Sequence, residues 1–169
     1  MSGLYIVSTP IGNLQDITLR AIETLKIADL VFAEDTRVTK KLLSHLGIKK
    51  KIHLLNDHNE EKVTEKILTD LFNERIVALV ADAGTPLISD PGFRLVKKTR
   101  ERSFDVIPIP GCCAAIAALT ASGMATNRFY FHGFLPRAEL EKSKELERLA
   151  LCQETMIFYE SVHRLQATI

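Results

Sequence analysis

Ile76-Val77-Ala78-Leu79-Val80-Ala81-Asp82-Ala83-Gly84-Thr85-Pro86-Leu87-Ile88-Ser89-Asp90-Pro91-Gly92 is the stretch that decides the fold of this chain. Its first six residues are apolar without alternation, as in a strand buried on both faces, which calls for a parallel sheet covered by helices. The next eleven residues change character at once, with two glycines, two prolines, two hydroxyls and two carboxylates. In an open α/β sheet the carboxyl ends of the strands form the ligand crevice, and a loop of this kind belongs there. It lacks both G-x-G-x-x-G and G-K-[ST], so it is not built around a pyrophosphate. Its mix of groups suits a zwitterionic ligand with a ribose and an amino-acid tail.

Outward from this loop, two more of the same kind follow apolar runs. Leu4 to Ser8 leads into Thr9-Pro10-Ile11-Gly12-Asn13, and Val106 to Ile109 leads into Pro110 to Ala115. One such loop is ordinary turn chemistry, whereas three on one sheet edge converge on a site. Leu30 to Ala33 reads as another buried strand, and Ile52 to Leu55 as a weaker one. Asp16 is expected to cap a helix presenting Leu19, Ile22 and Leu25 on one face. Val38, Leu42, Leu43 and Leu46 repeat at helical spacing up to Gly47, a natural stop. Asn59 is expected to cap a helix opened by Glu60 and Glu61, with Val63, Ile67, Leu68, Leu71 and Phe72 buried. Helices are also predicted over 92–102 and over the alanine-rich 114–121.

This alternation predicts an α/β fold, a mostly parallel sheet with flanking helices, over residues 1–122. A boundary is expected near Ser122-Gly123. Beyond it, 123–169 reads as the start of a smaller α/β domain, with strands at Phe129–His132 and Met156–Tyr159 and a charged helix around Lys142 to Leu151. Two strands and a helix rarely stand alone, so this part reads as truncated and the chain as a fragment of a longer protein.

Composition bounds the function. A chain of 169 residues with 46% hydrophobic and 25% charged residues is globular. No apolar run approaches the ~18 residues of a membrane span. The start at Met1 shows no basic, cleavable leader, so a cytoplasmic protein with no membrane association is expected. Cys112 and Cys113 are adjacent and Cys152 is alone, a spacing that fits neither a relaxed disulfide nor a zinc site, so no metal is expected. The net charge is +1, yet Arg37, Lys40, Lys41, Lys49, Lys50 and Lys51 follow one another without an acid. That run is either a solvated face or a phosphate-facing patch.

The strings TPIGN (9–13), AEDTR (33–37), DHNE (57–60), DAGTP (82–86), SDPG (89–92), PIPG (108–111), GFLPR (133–137) and IFYES (157–161) occur in this order across the whole chain. Together they resemble the ribosomal-RNA-modifying branch of the tetrapyrrole methylase superfamily. The resemblance implies two α/β domains with S-adenosylmethionine in the cleft between them, usually in a homodimer. It implies 2′-O-methylation of a cytidine in the decoding centre of 16S ribosomal RNA within the small subunit. By resemblance, Ala83, Gly84, Thr85 and Ile88 match the loop that holds the cofactor. Cys113 and Ala114 match a second contact and Glu160 a third. Three positions depart from the family pattern. Asn56 stands where a first histidine is common before His58, Ala81 replaces a serine, and Cys112-Cys113 replace Pro-Ser or Pro-Cys.

Methyl transfer to a ribose oxygen requires positioning and removal of a proton. The candidate bases are Glu34, Asp35, His58 and Glu60. Adjacent carboxylates after a buried strand point Glu34 and Asp35 toward the crevice. His58 reads equally as a satisfied loop histidine, and Glu60 as a first-turn acid behind Asn59. Arg37 either pairs with Asp35 or holds a phosphate with its planar fork; the second reading is preferred, with Lys40, Lys41 and Asn59 as further RNA contacts. A tetrapyrrole-modifying methylase and a non-catalytic cofactor-binding fragment are the alternatives.

Overall fold

Strand periodicity sorts the apolar residues of the first part of the chain onto two faces of one sheet. The computed structural model describes all 169 residues. Strands β1 (Gly3–Val7), β2 (Leu30–Ala33), β3 (Ile52–Leu54), β4 (Ile76–Val80) and β5 (Val106–Ile109) form a five-stranded sheet in the order β3-β2-β4-β1-β5. Every pairing in it is parallel. Parallel neighbours need crossovers, and these are helices on both faces. Helices α1 (Leu19–Ile27) and α2 (Thr36–His45) cover the face carrying Val7, Val31, Ala78 and Val80. Helices α3 (Glu60–Phe72) and α4 (Phe93–Glu101) cover the face carrying Leu4, Phe32, Val77 and Leu79. Because β4, β1 and β5 are neighbours, the three ligand-type loops leave the sheet side by side, as the parallel fold requires.

Local signals place two helices differently from expectation. Thr18, not Asp16, caps α1: its hydroxyl accepts from the Ala21 amide at 3.1 Å. Asp16 ends a short 3-10 turn, Leu14–Asp16. The displaced cap turns Ala21, Thr24 and Leu25 inward and leaves Leu19 79% exposed. Phe72, the last residue of α3, overhangs the core and is 78% exposed, bordering a surface hollow with Phe104 and Arg102. No helix is long and apolar enough to cross a membrane.

The chain divides into two compact units, Met1–Cys113 and Ala114–Ile169. The division falls at the start of the alanine-rich helix α5 (Ala114–Ala121), whereas the expected boundary lay at its end. Helix α5 goes with the second unit because the Ala115 amide donates to the Tyr159 hydroxyl at 3.2 Å, tying its first turn to strand β7 (Thr155–Tyr159). There β7 pairs in parallel with β6 (Phe129–Phe134), with a register slip between Phe131 and Gly133. Helix α6 (Glu139–Leu149) makes the crossover, and a last short helix α7 spans Leu165–Thr168. Tyr159 meets Phe131 and Phe134 edge-on, with ring centroids at 5.0 and 5.8 Å.

Gly92, which opens α4, has little room for a side chain. Its φ is +125°, and an added Cβ would lie 2.9 Å from the Leu79 Cδ2 methyl in the core. Gly92→Ala should therefore lower unfolding stability by about 1–3 kcal/mol, combining backbone strain with overpacking. A urea melt measures this; an unchanged midpoint would mean that the loop re-forms around the methyl.

Candidate active site

Reciprocal backbone hydrogen bonds tie the loop after β1 to the loop after β4. The Thr9 amide donates to the Gly84 carbonyl at 2.8 Å, and the Gly84 amide donates to the Thr9 carbonyl at 3.0 Å. The buried Thr9 hydroxyl donates to the Ala81 carbonyl at 3.1 Å. The third loop joins through Thr85, whose hydroxyl donates to the Cys112 carbonyl at 2.9 Å and lies 3.0 Å from the Ser8 hydroxyl. Gly84 has φ +85°, and two non-glycine residues, Leu87 (+72°) and Ser89 (+68°), also occupy the left-handed region. Such conformations persist only where their surroundings over-determine them, and they concentrate at ligand sites. Within 82–92, only the Gly84 and Ile88 amides bond to other backbone. Ala83 and Ile88 are exposed, whereas Gly84 is buried.

Beside this loop, at the carboxyl ends of β2 and β4, lies a cleft of about 570 Å³ lined by Glu34, Asp35, Arg37, Asp57, His58 and Asp82, among others. Its acids are in different states. Asp35 caps α2, accepting from the Arg37 amide at 2.8 Å, and receives the Arg37 guanidinium at 2.6 and 3.0 Å. These hydrogen bonds hold its carboxyl down to about 2. Asp35 is thus a poor proton acceptor, and the geometry supports the ion-pair reading of Arg37, whose side chain is 87% exposed. Burial, followed by the charges of Asp82, Asp57 and Asp35, raises the proton affinity of Glu34. Asp82 is also raised, by burial first, although its Oδ1 accepts the Asp35 amide at 3.0 Å. Asp90 is pushed up to about 6 by burial, then by Glu34 and Asp82. Glu34 and Asp90 both border a tight pocket with Pro86 and Pro91. Asp82 and Asp90 escaped the sequence-based set of candidate bases, although they are the two carboxylates of the loop that decided the fold.

The loop before α3 is knitted by its asparagines. Asn56 Oδ1 accepts the His58 and Asn59 amides at 3.2 Å each. Asn59 Oδ1 accepts the Asn56 amide at 2.9 Å, and its Nδ2 donates to the Leu54 carbonyl at 3.2 Å. Asn59 therefore makes no side-chain cap on α3 and is committed to the loop, not offered to RNA. The result is a rigid turn with Asp57 and His58 exposed on the cleft. Glu60 points elsewhere. It is 6% exposed, and its Oε1 accepts the Arg94 and Leu95 amides at 2.9 and 3.3 Å, which makes it a cap for α4 and leaves it outside the cleft.

Lys40 and Lys41 are exposed on α2. Lys41 also borders a second hollow of about 270 Å³ with Pro10, Leu14, Val38 and Asp82. Lys50 is not a free cation of the basic run, since its ammonium donates to the Ala28 carbonyl at 2.6 Å, at the end of α1. Cys113 closes the first unit, half-buried beside the Thr85 anchor. In the second unit, Ala114 begins α5 and Glu160 follows β7. The Glu160 carboxylate accepts the Ser161 amide at 2.7 Å and the Thr168 hydroxyl at 2.9 Å, and pairs with Arg164 at 3.3 Å.

A parallel sheet whose strand-end loops are hydrogen-bonded together beside a carboxylate cleft is an α/β fold with its ligand crevice at the carboxyl edge. The chain belongs to the tetrapyrrole (corrin/porphyrin) methylases, whose family model matches residues 3–169. It is 54% identical over 166 residues to the ribosomal RNA small subunit methyltransferase I of Haemophilus influenzae, covering 98% of this chain and 59% of that protein. It is 51% identical over 162 residues to the protein of the same name in Escherichia coli O157:H7, covering 96% of this chain and 57% of that protein. The chain thus spans somewhat under three fifths of the length of these relatives. A cobalt precorrin-4 methyltransferase shares the fold with a TM-score of 0.68 at 19% identity, over 98% of this chain and 71% of its own.

The Asp90 carboxyl yields a pH signature. Its folded-state proton affinity exceeds that of an unfolded aspartate near 3.8, so the folded state binds more protons between pH 3.8 and about 6, and stability falls as pH rises through that window. A shift of this size corresponds to roughly 3 kcal/mol, which solvent screening of a partly exposed group reduces to about 1–2 kcal/mol. Asp90→Asn should raise the melting midpoint at pH 7.5 and leave it nearly unchanged at pH 3.5. Equal effects at both pH values would contradict the assignment.

Proposed function

We propose that the protein carrying this chain transfers a methyl group from S-adenosylmethionine to the 2′-hydroxyl of a cytidine in the decoding region of 16S ribosomal RNA, working in the cytoplasm as a homodimer on the small ribosomal subunit. The observation that carries this reading is one juxtaposition: Glu34 and Asp82, carboxyls of raised proton affinity at the ends of β2 and β4, line one cleft with Arg37 at the start of α2, and the strained 82–92 loop leaves that cleft at Asp82. The names of the curated relatives point the same way. A tetrapyrrole would call for apolar walls where this cleft presents Glu34, Asp57, His58 and Asp82.

In this reading the cofactor contacts are Ala83, Gly84, Thr85, Ile88, Cys113, Ala114 and Glu160. When bound, S-adenosylmethionine supplies an electrophilic methyl group. Lys40 and Lys41 take phosphates of the RNA strand, and His58 contacts it at the cleft rim. Arg37 keeps Asp35 ionised and α2 capped. Asp90 or Glu34 accepts the ribose proton as the oxygen attacks; a carboxyl near 6 is largely ionised at neutral pH yet more basic than an ordinary aspartate.

Intact protein incubated with methyl-labelled cofactor and small ribosomal subunits should place label in RNA at a linkage resistant to alkali, because the blocked 2′-oxygen can no longer attack its phosphate. Label in a porphyrinoid instead would overturn the reading. The rate should fall as pH drops below about 6, where Asp90 becomes protonated. Reversing Lys40 and Lys41 to Glu should weaken subunit binding and lower the salt-dependence slope by about two, one for each lost phosphate contact. Cofactor affinity, read by calorimetry, should stay unchanged. An unaltered slope would reduce these lysines to a solvated face.

A further inference from the structure

Helix α4 begins where no residue of its own can cap it. Its N-cap position is Gly92, and an added Cβ there would meet Leu79 at 2.9 Å, so the usual Ser, Thr, Asp or Asn is excluded. The first-turn amides nevertheless need acceptors, since a buried N–H left unpaired is costly. Glu60 supplies one from another element, accepting the Arg94 and Leu95 amides while itself buried. Its negative charge also suits the positive end of the α4 dipole.

The connection joins two loops that flank the acidic cleft. Glu60 is the first residue of α3 and directly follows the asparagine-knitted turn that presents Asp57 and His58. Arg94 and Leu95 directly follow the 82–92 loop, whose backbone is strained at Leu87 and Ser89 and which carries Asp82 and Asp90. The upstream end of that loop is fixed by the Thr9–Gly84 bonds; Glu60 fixes its downstream end. A second fastening between α3 and α4, Glu65 with Lys98 and Arg102, is exposed and lies further along both helices. It holds the helices together without setting the loops.

We propose that Glu60 is a positioning residue for methyl transfer, pinning the loop that carries Asp90 to the turn that carries His58, and that it takes no proton from the substrate. The proposal rests on the RNA-methyltransferase reading of this cleft. The test compares Glu60→Gln, Glu60→Asp and Glu60→Ala in the intact protein, at a temperature well below each melting midpoint. The Gln amide oxygen still reaches both amides, so E60Q should keep kcat within about threefold of wild type, with the pH–rate profile unchanged. E60A and E60D, the latter one methylene short, should lose roughly ten- to a hundredfold in kcat at saturating cofactor and RNA, as displaced reacting groups do. Amide exchange at Arg94 and Leu95 should quicken in E60A and not in E60Q. A folded E60A or E60D with a lower melting midpoint but wild-type kcat would reduce Glu60 to a structural cap and overturn the proposal. An E60Q enzyme as inactive as E60A, with the acid limb of its profile lost, would restore the general-base role and overturn it as well. If wild-type protein methylates no ribosomal RNA, the functional reading itself fails, and that result is distinct from both.

Discussion

The paired hydrogen bonds between Thr9 and Gly84 are the constraint on which the site depends. Strands β1 and β4 run parallel, so their following loops leave in the same direction with nothing in the sheet to join them. The bonds form an antiparallel bridge beyond the parallel ladder and fold both loops toward one another. Gly84 must adopt φ +85° to make it, and Thr85 then faces the third loop at Cys112. With the loop pinned there, the chain must reach α4 through Leu87, Ser89 and Gly92, all at positive φ. The strain of 82–92 is a consequence of that bridge at one end and the Glu60 cap at the other.

The same geometry separates the carboxyls chemically. Asp35 begins a helix and meets a guanidinium, so it is a fixed anion. Glu34, Asp82 and Asp90 are partly buried; Asp82 raises the cost of ionising Glu34, and both raise that of ionising Asp90. Carboxyls driven apart in proton affinity by their surroundings are the usual basis of acid–base assignments. Adjacent residues are therefore pushed in opposite directions: Asp35 is held ionised as a helix cap, and Glu34, facing the cleft, gains proton affinity.

Much of this was legible in the sequence, for identifiable reasons. The parallel sheet followed from Ile76 to Ala81, because a strand buried on both faces has no polar alternation to obscure it. The convergence of three loops followed from the strand-end rule. Capping details did not follow, because Thr18 and Asp16 are both competent caps and only packing of Ala21 and Leu25 selects the first. Glu60 was misread for a deeper reason. First-turn acids on a helix look alike in sequence, and what separates Glu60 from Glu61 is a pair of amides 34 and 35 residues away. The division before α5 was equally hidden, since a helix that is small all round carries no stripe to tell which sheet it belongs to.

The loop at 56–59 shows how a departure from the family pattern redistributes chemistry. Where a first histidine is common, this chain has Asn56, and its carboxamide accepts two amides of the turn at 3.2 Å. An imidazole accepts only through its unprotonated ring nitrogen and loses that acceptor when it takes up a proton. Asparagine secures the turn with an atom that does not titrate, and the partner Asn59 returns the bond to the Asn56 amide at 2.9 Å. The turn is thereby set by neutral groups at every pH, and His58 is the one histidine at the cleft. His58 makes no side-chain hydrogen bond that would fix its tautomer or orient it, as a general base requires. The carboxyls behind it are held by the sheet and by bridged loops. In the proposed reaction, proton removal therefore falls to the acids at the ends of β2 and β4, and the turn contributes shape and charge.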